Sequence, residues 1–225
     1  MDNGKFITFE GIDGCGKTTQ IKLISEWISS RGIDTVTTRE PGGSAIGQQI
    51  RAILLNPANH ELSEASELLL YLADRIQHLK QVVLPAMNQG KLVLCDRFHD
   101  STIAYQGYGR QLDLTGISSI VEQWVAPHMP DLSILIRISP ETALERISQR
   151  QQVKPDLSQE SRFDQETLAF FQRVAHGFDE LSRQSPDRIA VVDGNQSVDA
   201  VFTEIKHLFE TRLSKIPTQH AYVPK

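Results

Sequence analysis

The stretch Phe6-Ile7-Thr8-Phe9-Glu10-Gly11-Ile12-Asp13-Gly14-Cys15-Gly16-Lys17-Thr18-Thr19-Gln20-Ile21-Lys22-Leu23-Ile24 decides how the rest of the chain is read. Its centre, from Gly11 to Thr18, fits G-x-x-x-x-G-K-[ST], the pattern of a loop that cradles phosphates. Glycines are needed because residues without Cβ let the backbone curl until several N–H groups point inward at one polyphosphate. Gly11, Ile12, Asp13, Gly14, Cys15 and Gly16 supply that backbone, and Thr19 continues it into the next element. Lys17 adds a cation, and Thr18 adds a hydroxyl for magnesium. The apolar run 6–9 reads as a buried strand, and residues 19–28 carry apolar side chains at helical spacing. Strand, loop and helix therefore follow in the order a nucleoside triphosphate site requires.

Outward from this stretch, strand-like runs recur at residues 35–38, 92–95, 133–138 and 188–192. Helical patterns fill most of the intervals, at 17–30, 44–55, 63–88, 114–126, 140–150, 164–184 and 198–214. Such alternation predicts an α/β protein: a five-stranded parallel sheet in a three-layer α/β/α sandwich, with all five strands buried between helices. The 225 residues suit one domain over 1–215 followed by a C-terminal tail at 216–225. The polar, proline-containing stretch 149–162 lies between two helices and has the character of a lid.

Bulk properties narrow the class. A formal net charge of -5 argues against a protein that grips nucleic acid through its phosphates. Two cysteines give no disulfide framework, and no run approaches the roughly 18 apolar residues of a membrane span. The start of the chain lacks an apolar export signal, so the expected location is the cytoplasm, with no membrane partner.

In a parallel sheet, ligands sit at the carboxyl ends of the strands. Those ends carry Glu10 and Asp13, then Arg39-Glu40-Pro41-Gly42-Gly43, then Asp96-Arg97 with Asp100 and Ser101. Asp96 has the placement of a carboxylate that holds magnesium or its waters. Arg39 and Arg97 together suit a phosphate monoester, because two planar guanidinium forks match its several acceptor oxygens. A donor triphosphate beside an acceptor monophosphate is the arrangement of a nucleotide kinase, where alignment and charge stabilisation do most of the catalysis. A nucleotide-dependent switch that hydrolyses without an acceptor is the competing class. His78, His99 and His128 show no ligand spacing and read as core or surface histidines.

Four elements in order, Phe9 to Gln20, Thr38-Arg39-Glu40-Pro41-Gly42-Gly43, Asp96-Arg97-Phe98 and Ser101-Thr102-Ile103-Ala104-Tyr105-Gln106-Gly107, resemble the thymidylate kinase family over about residues 5–213. The resemblance implies the P-loop NTPase fold, transfer of the ATP γ-phosphate to dTMP with Mg2+, and a homodimer using residues 63–88 and 114–126. It implies that Lys17 and the loop amides hold the donor phosphates, that Thr18 and Asp96 serve the metal, and that Arg39 and Arg97 clamp the acceptor phosphate. Asp13 would face the acceptor sugar and Pro41 would shape the approach. Tyr71 resembles the aromatic under the base, Arg75 the group that reads a base carbonyl, and Ser101, Thr102 and Gln106 further substrate contacts. Tyr105 would crowd the position of a ribose 2′-hydroxyl. Glycine at position 14, where some members carry arginine, resembles the bacterial type, in which the lid supplies the cation. Arg150 is the first candidate for that cation and Arg162 the second, with Arg146 and Lys154 beside them.

Overall fold

The computed structural model describes residues 4–153 and 162–213. Five strands, β1 (Lys5–Glu10), β2 (Thr35–Arg39), β3 (Leu92–Asp96), β4 (Leu132–Arg137) and β5 (Ile189–Asp193), form one parallel sheet in the order β2-β3-β1-β4-β5. Alternate side chains leave opposite faces. Ile7, Leu92, Leu94 and Ile134 pack with Ile21 and Ile24 of α1 (Lys17–Ser29) and with Ile205 and Phe209 of α9 (Val198–Arg212). Phe6, Val93 and Cys95 instead meet a second cluster, drawn from α3 (Glu64–His78), the turn after it, and α6 (Leu114–Trp124). The expected three-layer sandwich is therefore present. The two edge strands depart from the expectation of full burial: β2 is partly exposed along its length, and β5 exposes Val191 and Asp193.

The remaining helices are α2 (Ala45–Leu55), α4 (Leu84–Asn88), α5 (His99–Thr102), α7 (Pro140–Val153) and α8 (Leu168–Gln184). The single helix expected at 63–88 is interrupted by a π-turn at Leu79–Val83, just before Pro85. A proline ring has no N–H and collides with the carbonyl four residues back, so the helix widens there. Helical structure at 99–109 was not expected. There α5 runs into a π-turn at Ile103–Gly109 that contains Gly107 and Gly109, residues that weaken any local helical reading. Gly109 is explained by packing, since a Cβ on it would stand 2.8 Å from the Phe170 ring of α8. Helix α8 begins later than expected, after a 3-10 turn at Arg162–Gln165. Of the expected lid, residues 154–161, including Lys154, lie outside the described residues, as does the tail at 216–225. Among the described residues no helix is long and apolar enough to cross a membrane.

Candidate active site

Strand β1 runs directly into the phosphate loop, and the loop ends on Gly16, the residue before α1, at φ 98°. Nothing lies within 4 Å of a Cβ at Gly16, so the left-handed backbone alone calls for glycine there. Gly14, at φ 80°, is also tightly packed: a Cβ would sit 3.0 Å from the Ala143 carbonyl of α7. Lys17 is buried, and its Nζ donates to the carbonyls of Gly11 at 3.0 Å and Ile12 at 3.1 Å, with Cys15 Sγ at 3.4 Å. Thr18 Oγ1 donates to Asp96 Oδ2 at 3.0 Å. The sheet register sets this meeting, because Phe9 pairs with Asp96 as β1 enters the loop. A cleft of about 1020 Å³ opens over Gly14, Lys17, Thr18 and Asp96.

No cluster of three or more His, Cys, Asp or Glu side chains able to hold a metal occurs among the described residues. A divalent ion beside Thr18 and Asp96 would thus take most of its ligands from phosphate oxygens and water. That donor set fits Mg2+, which usually keeps several waters and takes only one or two carboxylates from the protein.

A second cleft, of about 1190 Å³, shares Asp13, Arg39, Arg51, Arg97 and Arg150 with the first. The shared strip is tightly wired. Arg97 Nη2 donates to Asp13 Oδ1 at 2.8 Å and to the Tyr105 hydroxyl at 3.1 Å, while Nη1 donates to the Gly11 carbonyl at 2.9 Å and to Ser101 Oγ at 3.1 Å. Tyr105 in turn donates to Asp13 Oδ2 at 2.8 Å. Burial alone would raise the Asp13 pKa, but the charges of Arg97 and Lys17 and the Tyr105 hydrogen bond bring it down to about 2. Arg97 itself has φ 70°, an unfavourable left-handed backbone for a side chain, and its N–H bonds to the Phe9 carbonyl at 3.0 Å. Arg39 is exposed, and no hydrogen bond or ion pair engages its guanidinium among the described residues.

Deeper in this cleft the wall is made of buried polar side chains. Arg75 donates from Nε to Glu40 Oε2 at 2.7 Å, from Nη1 to Thr102 Oγ1 at 2.8 Å and from Nη2 to the Phe98 carbonyl at 2.9 Å. Glu40 also bonds His78 at 2.8 Å, and His78 meets Thr38 at 2.7 Å. Burial works against the Glu40 charge, yet Arg75 and His78 hold its pKa below the ordinary value. Gln106 donates to Glu67 at 2.8 Å. Tyr71 lies one turn before Arg75 on α3, 6.4 Å from the Phe163 ring between centroids. Burial, and then the nearby Glu67, push the Tyr71 hydroxyl pKa up.

Comparison with known proteins decides the family. The thymidylate kinase family model matches residues 9–205. The chain belongs to the thymidylate kinase family. It is 46% identical over 201 residues to the thymidylate kinase of Maridesulfovibrio salexigens, covering 89% of this chain and 93% of that one. The thymidylate kinase of Carboxydothermus hydrogenoformans is 45% identical over 207 residues, covering 92% of this chain and 97% of that protein. Among solved structures, thymidylate kinase from Ehrlichia chaffeensis superposes with a TM-score of 0.74 at 32% identity, covering 92% of this chain and 99% of that chain.

Set beside what thymidylate kinase resemblance implies, Asp13, Arg39, Pro41, Tyr71, Arg75, Arg97, Ser101, Thr102, Tyr105 and Gln106 all line the larger cleft. Arg150 lines both clefts; its side chain is half-exposed and donates to Asp164 at 3.2 Å. Arg146 spans the Gly14 and Gly194 carbonyls at 3.4 Å and 3.2 Å beside the phosphate loop. Arg162 departs from the expectation of a transfer cation. It lines neither cleft, because its guanidinium is buried against Glu67 and the Leu54 carbonyl. Ile12 and Cys15 turn their side chains into the core, so only their backbone is left for the donor. His78 and His99 are buried. Arg51 and Glu67 were not expected at the site. Arg51 lines both clefts and donates to the Pro41 carbonyl at 2.8 Å. Burial and the neighbouring Arg39 lower its pKa. On α2 it reads as an ordinary charge of a surface helix, and only the fold turns it toward Arg39.

Proposed function

We propose that the chain carries out its family's reaction, transfer of the ATP γ-phosphate to dTMP, at the strip where its two clefts meet. The observation that supports this most is the sharing of Asp13, Arg39 and Arg97 by both clefts. A bound triphosphate and a bound monophosphate would then face one another across those groups. Alignment of this kind supplies a large part of a phosphoryl-transfer barrier.

In this reading the loop amides and Lys17 hold the donor's β and γ phosphates, Lys17 leaving the loop carbonyls it now bonds. Thr18 and Asp96 hold Mg2+, which, when bound, would offset charge on the donor phosphates. Arg97, fixed by Gly11, Ser101 and Asp13, presents positive charge at a set place. Arg39 closes on the acceptor phosphate from the exposed side, with Arg51 behind it. Tyr71 stacks under thymine, while Arg75, Thr102 and Gln106 meet its edge. Tyr105, held by Asp13, fills the space a ribose 2′-hydroxyl would need. Arg150, rather than Arg162, supplies the cation that glycine at position 14 does not.

An ADP-release assay across dTMP, dUMP, UMP, AMP and GMP tests the assignment. The rate should be highest with dTMP; activity confined to AMP or GMP refutes it, and ATP consumption without acceptor favours a hydrolytic switch. We further propose that the protein is cytoplasmic and a homodimer with α3 and α6 in the interface, where Leu69 on α3 and Trp124 on α6 are exposed. A single monomeric species in sedimentation would overturn the dimer.

A further inference from the structure

Glu67 stands on α3 one turn before Tyr71, and its side chain is fully buried. Oε1 accepts from Gln106 Nε2 at 2.8 Å and from Arg110 Nε at 3.2 Å. Oε2 accepts from Arg110 Nη2 at 3.2 Å and from Arg162 Nη2. A carboxylate accepts hydrogen bonds and cannot donate them, whereas the Gln106 amide can present either end. The amide must therefore turn its NH2 toward Glu67. Its oxygen then meets no protein donor among the described residues and is not sealed off, so it belongs to the wall of the larger cleft that Gln106 lines. Arg75, which can only donate, stands in the same wall and is fixed by Glu40, Thr102 and the Phe98 carbonyl.

We propose that Glu67 is a positioning residue for base selection: it locks the Gln106 carbonyl toward the acceptor cleft, so that the wall offers one acceptor beside one donor. The inference rests on reading the Tyr71–Arg75 wall as the base site. A pyrimidine with N–H at ring position 3 next to a carbonyl complements that pattern. A cytosine ring presents a bare nitrogen next to an amino group and meets like with like at both positions. Because the wall is buried, a mismatch leaves polar groups unpaired, the situation in which enzymes reject analogues most strongly.

Glu67→Gln replaces an obligate acceptor by an amide that can also donate, which frees Gln106 to rotate. The ratio of kcat/KM for dTMP to that for dCMP should fall about tenfold or more, with the KM for ATP unmoved. A parallel loss for both monophosphates, leaving the ratio in place, overturns the proposal. Gln106→Met isolates the underlying reading: it should raise the KM for dTMP and narrow the same ratio, and if it does neither, the base site itself is misplaced. Removing the Glu67 charge leaves two buried guanidinium groups short of a carboxylate, so Glu67→Gln can fail to fold. In that case 15N spectra of the unaltered protein decide. The Gln106 side-chain NH2 should exchange slowly and hold its shifts when dTMP binds. A fast-exchanging NH2 that moves on dTMP addition places the amide the other way round and overturns the proposal.

Discussion

The two halves of the site are built by different means. The donor half is built on a single run of chain, Gly11 to Thr18, whose glycine-rich loop, Lys17 and Thr18 meet the cleft beside Asp96 and Arg146. The acceptor half draws Arg39 from the end of β2, Arg51 from α2, Tyr71 and Arg75 from α3, and Thr102 to Gln106 from α5 and the turn after it. Its buried polar side chains are held by others, Arg75 by Glu40, Arg97 by Asp13 and Gln106 by Glu67, whereas Arg39 at the rim is not. A backbone cradle tolerates variety in its side chains and binds what all polyphosphates share. A network of buried side chains is specific to one ligand and sensitive to the loss of any member.

The largest effect that tests this contrast is on the donor side. Lys17→Ala should lower kcat on the order of 10³-fold or more, since the single side-chain cation of the cradle is removed while the charge of the donor phosphates remains. The fold should persist, because Lys17 Nζ bonds only carbonyls and a thiol of its own loop. Circular dichroism and turnover measured together check this. A variant that keeps near-normal turnover breaks the assignment of the loop.

On the acceptor side, Arg97→Ala should reduce kcat/KM for dTMP by about 10²-fold to 10³-fold while moving the KM for ATP little. Equal losses for both nucleotides would merge the two halves and refute a dedicated clamp. Arg97→Gly sharpens the test, because glycine accepts the left-handed backbone at φ 70° without strain. It should lose as much activity as Arg97→Ala yet unfold at higher urea, by about 1 kcal/mol. If the two variants are equally stable, the backbone at Arg97 relaxes when the side chain is removed.

The same contrast explains what could be read from the sequence. The donor half was legible because its residues are consecutive and their spacing is itself the chemistry. The five parallel strands and the sandwich followed from alternating apolar runs, and the strand ends pointed to Arg39, Asp96 and Arg97. Tyr71 was different: its helical periodicity favours a core aromatic, and only the family resemblance singled it out. Arg51 and Glu67 could not be read at all, because a buried acid and an inward-facing arginine on helices look like solvated charges until the partners that neutralise them are known. Arg162 failed for the same reason: its cleft-facing role was inferred from proximity to the lid, while Glu67, remote in sequence, captures it. The helical segment at 99–109 escaped because its glycines serve packing rather than local propensity, Gly107 against Leu114 of α6 and Gly109 against Phe170 of α8.

The smallest effect concerns protons, since a side-chain network titrates and a backbone cradle does not. Asp74 lies under the Gly42 turn with Oδ1 accepting from Gly42 N–H at 3.1 Å, while Oδ2 is buried without a partner. Burial, and then repulsion from Glu40, raise its pKa from 3.8 to about 6. The folded protein therefore holds this proton more tightly than the unfolded chain does. The associated stability is fully present below about pH 4 and is lost as pH rises through about 6. Asp13 runs the opposite way: its pKa near 2 lies below the ordinary value, so its contribution is present above about pH 4 and is lost only as pH falls through 2. Asp74→Asn keeps an acceptor for Gly42 and cannot ionise. Relative to the unaltered chain it should gain about 1–2 kcal/mol at pH 8 and nothing near pH 4, read from urea unfolding at both values. Curves that stay parallel across this range would mean that Asp74 is solvated well enough to ionise freely.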